Sequence, residues 1–306
     1  MRLEDIAHGI NVSIIPKKSM ELVGITYPEV ANEAQIAIVF SKNDVYRTNA
    51  RVVLSNKILL GTGKVVIPCR GPVLASAKKI AEMFVRTGEY QDYGLQEKYS
   101  MQSDCVMLGT NVLVGKASRI GAFSTVGSGV QIGSDCWIGE HVYIGAGTVI
   151  GDNVIVKPGA RIASPAFFMY DRHPANDFVG FGKVIIGDGV SIGTNTVIQR
   201  GTFSDTVIGS NTGIGDGVVI GHDVRIGRAC RIVSQSGIAG RSVLANNVEL
   251  LGQVGVAEKI HIGEGAIIKA KSLVSKNVNS YEIISGLYGR RHRDEMRLQA
   301  NLRKKF

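Results

Sequence analysis

Among the chain's six histidines, His222 is followed directly by Asp223, and Gly240 comes eighteen residues later in Ile238-Ala-Gly-Arg241. An unperturbed imidazole titrates at about pH 6.5, so it can take a proton from an attacking amine near neutrality. The Asp223 carboxylate could orient the ring if the local turn allows, since neighbours on a straight strand point to opposite faces. An exposed Gly240 N–H could hold the oxyanion of an acyl-transfer intermediate. Another eighteen residues on stand Glu258 and Lys259. The plain alternatives are a polar corner residue at 222 and a glycine that the fold itself requires at 240. There is no nucleophile-elbow serine or catalytic-cysteine motif, which favours direct transfer over a covalent intermediate. His141, His222 and His261 lack the spacing of a shared zinc site, so no metal is expected.

The interval of eighteen has meaning because the sequence repeats every six. Aliphatics recur at Val114, Ile120, Val126, Ile132, Ile138, Ile144, Ile150, Val156 and Ile162, return at Ile186, Ile192 and Ile198, and run again from Ile208 to Val274. Six is neither the helical period nor the two-residue alternation of an ordinary strand, so the pattern reads as a structural repeat. Two residues before most of these aliphatics lies a small or β-branched residue, such as Ser124, Cys136, Thr148, Thr196 or Cys230. Residues two apart on a strand share a face, so both positions point inward. Glycine after the aliphatic is expected to supply the backbone angles of a tight corner. Three hexads make a triangular coil of eighteen residues, and the predicted fold is a mainly β, left-handed parallel β-helix with a small N-terminal α/β domain and a C-terminal helix. His222, Gly240 and Glu258 then stack on one corner, facing outward.

Two interruptions locate the loops. Residues 163–183 do not fit the hexad and must leave the prism, and four extra residues fall between Ile198 and Ile208 around Gly201-Thr-Phe-Ser-Asp205. Long loops on a repetitive scaffold are where binding is usually placed.

The division expected is an α/β domain over 1–100, the β-helix over 101–280 and a basic helix over 281–306. In the first part Val23–Thr26, Ile36–Phe40 and Arg51–Ser55 read as strands and Leu74–Thr87 as an amphipathic helix. No stretch is long and apolar enough to span a membrane, and Met1-Arg-Leu-Glu-Asp-Ile lacks a signal peptide's apolar region, so a cytoplasmic location with at most peripheral membrane contact is expected. Four cysteines, two of them at inward positions, read as free thiols in a reducing compartment. The formal charge of +9 is concentrated after Arg290. That basic helix is either a solvated cap over the last coil or a dock for an acidic partner. No aromatic interleaving accompanies it, so nucleic acid is not expected.

Three segments carry a resemblance to the UDP-3-O-acylglucosamine N-acyltransferases of lipid A biosynthesis, the LpxD family. Phe40-Ser-Lys-Asn-Asp-Val-Tyr46 resembles the segment whose two aromatics hold a uracil ring. Gly182–Gly201, continuing into Ser204–Gly209, is similar to the family's strongest stretch. Ile220-Gly-His-Asp-Val224 and Ser234–Gly240 are similar to the region around its catalytic histidine and oxyanion glycine. The resemblance implies transfer of a 3-hydroxyacyl group from acyl carrier protein to the 2-amino group of a UDP-3-O-acylglucosamine. It implies His222 as base and Gly240 as oxyanion donor, with Phe40, Asn43, Tyr46, Asp216 and Lys259 on the substrate. It also implies a homotrimer with sites between protomers, and an acyl donor carried on the phosphopantetheine of the carrier protein, with no tightly bound cofactor.

The sequence departs from that family near the chemistry. Lys259 stands where the family has a second histidine, Gly215-Asp216 replaces an Asp-Asn pair, and Gln199-Arg-Gly replaces Asp-Arg-Gly. A lysine keeps the cation but is no base at neutral pH unless its pKa is strongly depressed. Acylation of another nucleotide-linked amino sugar, including from acetyl-CoA, and a catalytically silent binding homologue are the alternatives. Acyl length depends on a groove whose lining, with Phe167, Phe168, Met169 or Leu250-Leu251 as candidates, linear order does not reveal.

Overall fold

The structure, a computed structural model, describes residues 1–12, 20–57, 59, 62–69, 71–87, 100–101, 105–166, 180–286 and 292–303. The hexads form a three-sided parallel β-helix whose faces are sheets of eight, nine and ten strands. Apart from Ser100–Met101, which pairs antiparallel at one end of the ten-stranded face, each face grows by parallel pairing of residues one coil apart, as in Trp137 with Ile155 and Val219 with Gly237. Where a coil is interrupted the offset changes but the face continues. Ile150 pairs with Ile186 across the 163–183 excursion, and Ile186 with Ile208 across the four-residue insertion.

The repeated aliphatics fill the prism: Ile138, Ile144, Val156, Ile162, Ile192, Ile198, Ile220 and Leu250 are fully buried. Burying each such side chain contributes roughly 1.5–3 kcal/mol. The small inward residues serve the backbone. Ser124 Oγ donates to the Gly139 carbonyl and accepts from Val142 N–H, and the Thr196 and Ser242 hydroxyls repeat this bridge between coils.

The glycine after the aliphatic has a different reason from the one the hexad suggests. A Cβ on Gly115, Gly193 or Gly227 would lie 2.3–2.6 Å from the backbone of the next coil, and none of the three has a positive φ. These glycines let coils stack closely. The left-handed angle falls two residues later, mostly on non-glycines such as Asn153 (φ 57°), Asn211 (φ 60°) and Asp223 (φ 59°). Asn and Asp tolerate that region better than most residues do.

The N-terminal module is a four-stranded parallel sheet of Gly24–Thr26, Gln35–Ile38, Val52–Ser55 and Val65–Pro68. Helix Val73–Arg86 buries Val73, Ala77, Ile80, Ala81 and Phe84 along one stripe. The last strand and the short helix Lys42–Arg47, capped by Ser41 and Asp44, were not legible as elements in the sequence. The module is joined to the prism by apolar contact. Phe203 is buried in its core and packs edge-on to Tyr27 at 5.9 Å, with Phe181 stacked on the other side.

Beyond residue 280 the solenoid adds a strand, Ile283–Ile284, before helix His292–Arg303. Phe167, Phe168 and Met169 lie outside the described residues, as do 287–291 and 304–306. Leu250 is fully buried inside the prism. No helix among the described residues is long and apolar enough to cross a membrane.

Candidate functional site

One edge of the prism, between the ten-stranded and the eight-stranded faces, gathers nearly every irregular feature. The 163–183 excursion and the four-residue insertion both leave here, and His222-Asp223, Gly240-Arg241 and Glu258-Lys259 turn the same edge in the next three coils. Backbone bonds from Arg241 N–H to His222 and from Lys259 N–H to Gly240 fix the stack.

His222 leaves the prism at this corner, but it is not an open surface residue. Only 9% of it is exposed. Its Nδ1 lies 2.6 Å from Asp223 Oδ2. The left-handed φ of Asp223 makes this pairing of neighbours possible, because it swings the carboxylate to the imidazole side of the chain. The other face of the ring rests against Gly240, where a Cβ would sit 2.6 Å from Nε2. Gly240 has no positive φ, so the need for glycine here is the closeness of the imidazole. Its N–H has no acceptor among the described residues.

Asp223 is enclosed by the insertion. Thr202 N–H reaches both carboxylate oxygens at 3.1 Å and its hydroxyl reaches Oδ2 at 2.5 Å; Ser204 donates from N–H at 2.9 Å and from its hydroxyl at 2.8 Å. Burial alone would raise the carboxyl pKa. The bonds from His222, Thr202 and Ser204 outweigh it and hold Asp223 below the ordinary carboxylate range. Tyr27 of the N-terminal module closes the network, with its hydroxyl 3.0 Å from Thr202 Oγ1. Burial, then the Asp223 charge, push the Tyr27 phenol far above its usual pKa.

A cavity of about 610 Å³ opens where the module meets this edge. Phe40, Asp44 and Arg47 line it from the module, and Ser204, Asp223, Arg225, Arg241 and Lys259 from the solenoid. His222 itself is not in the wall. Arg241 crosses the junction, its guanidinium 3.8 Å from the Tyr27 ring centroid and 3.0 Å from Glu29. Lys259 pairs with Glu258 at 3.2 Å and stands 6.0 Å from the Phe40 ring.

Of the residues singled out in the sequence, His222, Gly240, Phe40 and Lys259 come together here. Asn43 and Tyr46 do not line the cavity. Both lie on helix Lys42–Arg47, whose Asp44 and Arg47 do reach the wall, and Tyr46 is 70% exposed. Within one chain Phe40 and Tyr46 therefore do not enclose this cavity as a pair. Asp216 stands on a different edge, between the nine- and ten-stranded faces, where it accepts from Thr194 N–H at 2.7 Å and lies 4.0 Å from Lys157 Nζ. Sequence reasoning missed Tyr27, Thr202, Ser204 and Arg241. Only the insertion that carries Thr202 and Ser204 left a mark in the hexad count. No cluster of potential metal ligands occurs among the described residues.

The family description "Bacterial transferase hexapeptide (six repeats)" matches residues 129–164 and 205–240. A UDP-3-O-acylglucosamine N-acyltransferase of Rhizobium meliloti (strain 1021) is 44% identical over 149 residues, covering 48% of this chain and 42% of the relative. One of the same name from Methylorubrum extorquens (strain PA1) is 40% identical over 128 residues, covering 42% and 36%. The chain thus aligns with less than half the length of these curated relatives. Among solved structures, a Francisella novicida UDP-N-acetylglucosamine acyltransferase superposes with a TM-score of 0.52 at 30% identity, covering 59% of this chain and 67% of that one.

Proposed function

We infer, for a chain that belongs to the LpxD-like hexapeptide-repeat family, that it is an N-acyltransferase moving a 3-hydroxyacyl group from acyl carrier protein to the 2-amino group of a UDP-3-O-acylglucosamine. The observation that carries this reading is the His222–Asp223 pair at 2.6 Å, with the imidazole packed against Gly240 beside a cationic cavity. As the sugar nitrogen attacks the thioester carbonyl, His222 Nε2 takes the amine proton and the Gly240 N–H holds the oxyanion. Collapse of the intermediate forms the amide and releases the phosphopantetheine thiol, which takes up a proton. Nothing in this sequence of bonds calls for a bound cofactor.

On the acceptor side, Phe40 offers a stacking face for the base, and Arg225, Arg47 and Lys259 supply positive charge for a diphosphate. Lys259 acts as a cation here and not as a second base. Asn43, Tyr46 and Asp216 can serve the same substrate only from outside this cavity, as they would in a site shared between the protomers of a homotrimer. The basic C-terminal helix, with Arg293 and Arg297 among its residues, suits the acidic carrier protein.

The test is a product analysis. Purified protein is given UDP-amino sugars together with acetyl-CoA and acyl carrier proteins loaded with chains of several lengths, and the products are read by mass spectrometry. A 3-hydroxyacyl amide of the O-acylated UDP-glucosamine is expected. Predominant use of acetyl-CoA, or of an acceptor without an O-acyl chain, would overturn the proposal.

A further inference from the structure

The hydrogen bonds around Asp223 have directions that chemistry fixes. An ionised carboxylate only accepts, so the Thr202 hydroxyl spends its single proton on Asp223 Oδ2. Thr202 Oγ1 then has none left for Tyr27, and the 3.0 Å contact between the two hydroxyls must run from Tyr27 O–H to Thr202. On the other side His222 Nδ1 faces the same carboxylate oxygen and must carry a hydrogen, which leaves Nε2 with a lone pair in the neutral ring. The four groups form one connected chain, from a phenol in the N-terminal module to the imidazole on the solenoid edge, with the donors on both sides converging on the Asp223 carboxylate.

From this geometry we infer that Tyr27 and Thr202 are positioning residues: docking of the N-terminal module, through the Tyr27 hydroxyl, holds Asp223 in the arrangement that fixes His222 as its Nδ1–H tautomer. The catalytic consequence rests on the reading of His222 as the base, whereas the tautomer is a property of the unliganded protein. The Tyr27 ring has a separate task, since it packs on Phe203 and carries the Arg241 guanidinium. Packing has no use for the hydroxyl. Buried and next to a negative charge, the phenol stays protonated and so remains a donor at any working pH. Thr202 lies in the four-residue insertion, so the insertion has a specific purpose: it brings two hydroxyls and two amides to a carboxylate that the regular hexad would leave at an ordinary corner.

Nitrogen-15 NMR of the full-length, histidine-labelled protein without substrate tests the assignment, using Tyr27→Phe, Thr202→Val and Thr202→Ser. The wild type should show His222 with a protonated Nδ1 and an Nε2 that carries no hydrogen. Thr202→Val should lose that signature and Tyr27→Phe should weaken it, with faster exchange of the Nδ1 proton, and Thr202→Ser should restore it. In turnover, kcat should fall about tenfold for Thr202→Val and about threefold for Tyr27→Phe while KM for the UDP-sugar stays within about twofold, the pattern of a group that acts on the reacting state. Tyr27→Phe keeps the ring and its packing, so the test survives if Thr202→Val fails to fold. An unchanged His222 signature in Tyr27→Phe would overturn the inference, as would a loss falling on KM alone. If the signatures move as expected but His222→Ala turns over normally, the relay stands and the base assignment falls.

Discussion

Two edges of one prism, built from the same hexads, have opposite characters. On the edge between the nine- and ten-stranded faces, polar corner residues bond to the coil below: Asp216 accepts from Thr194 N–H, and Ser234 from Asp216 N–H. That is a ladder, and the fold uses up its groups. On the edge between the ten- and eight-stranded faces the ladder is broken. Two excursions displace it, Gly240 takes the slot above His222, and the N-terminal module covers the result. A repeat protein satisfies its corners by default, so a corner free for chemistry has to be made by departing from the repeat.

The strongest way to break this comparison is to remove the groups that the special edge sets free. His222→Ala should lower kcat by about 10²–10⁴-fold, the range for a lost general base, with little change in KM for either substrate. Gly240→Ala should follow closely, because its Cβ would sit 2.6 Å from Nε2 and the ring must move. Steady-state kinetics with acyl carrier protein as donor measures both. If both variants kept wild-type rates, the edge would have no catalytic standing.

A second contrast lies around the short helix Lys42–Arg47, between Phe40, two residues before its start, and Tyr46 in its last turn. Phe40 faces the cavity and Tyr46 does not. Base stacking on an aromatic is worth about 1–3 kcal/mol, so Phe40→Ala should raise KM for the UDP-sugar roughly 5- to 150-fold, and Tyr46→Ala much less. An equal rise for both would mean that Tyr46 completes the base site from a neighbouring protomer, which would favour a shared site over a single-chain one.

Asp223 sharpens the comparison through pH. Its folded-state pKa lies below the ordinary carboxylate value, so its charge contributes stability that is fully present above the unfolded pKa and is lost as pH falls through the folded one. Asp223→Asn should therefore be less stable than wild type at pH 6–7, with the gap in melting temperature narrowing as pH is lowered below about 4. Asp216→Asn should stay close to wild type in stability at pH 6–7, because that carboxylate is exposed and has one amide and a distant lysine as partners. Thermal melts of both variants across pH give the answer.

Much of the special edge was written in the sequence as arithmetic. A period of six sets the faces, and eighteen residues on from His222 the same count reaches Gly240. What the count could not supply were the contacts between the module and the prism. Tyr27 and Thr202 are 175 residues apart and share no periodicity, and Arg241 occupies a corner slot that elsewhere holds ordinary polar residues. The pairing of Asp223 with His222 stayed open in the sequence for a local reason: strand alternation sends neighbours to opposite faces, and only the left-handed turn at the corner cancels that rule. The same turn misled the reading of the glycines, since positive φ falls at the third residue after the aliphatic while the first is glycine for close stacking.

The smallest effect expected comes from a glycine that neither reason explains. Gly213 is a strand residue on the nine-stranded face, with an ordinary φ and nothing within 4 Å of where its Cβ would be. Alanine there removes backbone freedom from the unfolded chain without meeting a neighbour, so Gly213→Ala should stabilise an isolated chain by about 0.4–1 kcal/mol. Gly227→Ala, whose Cβ would lie 2.6 Å from the Ala245 carbonyl carbon, should be destabilising by clearly more than that. Denaturant unfolding of the two variants measures the difference directly. A destabilised Gly213→Ala would mean that something outside this chain packs against the nine-stranded face, and the contrast between edges would then have to be redrawn to include a neighbour.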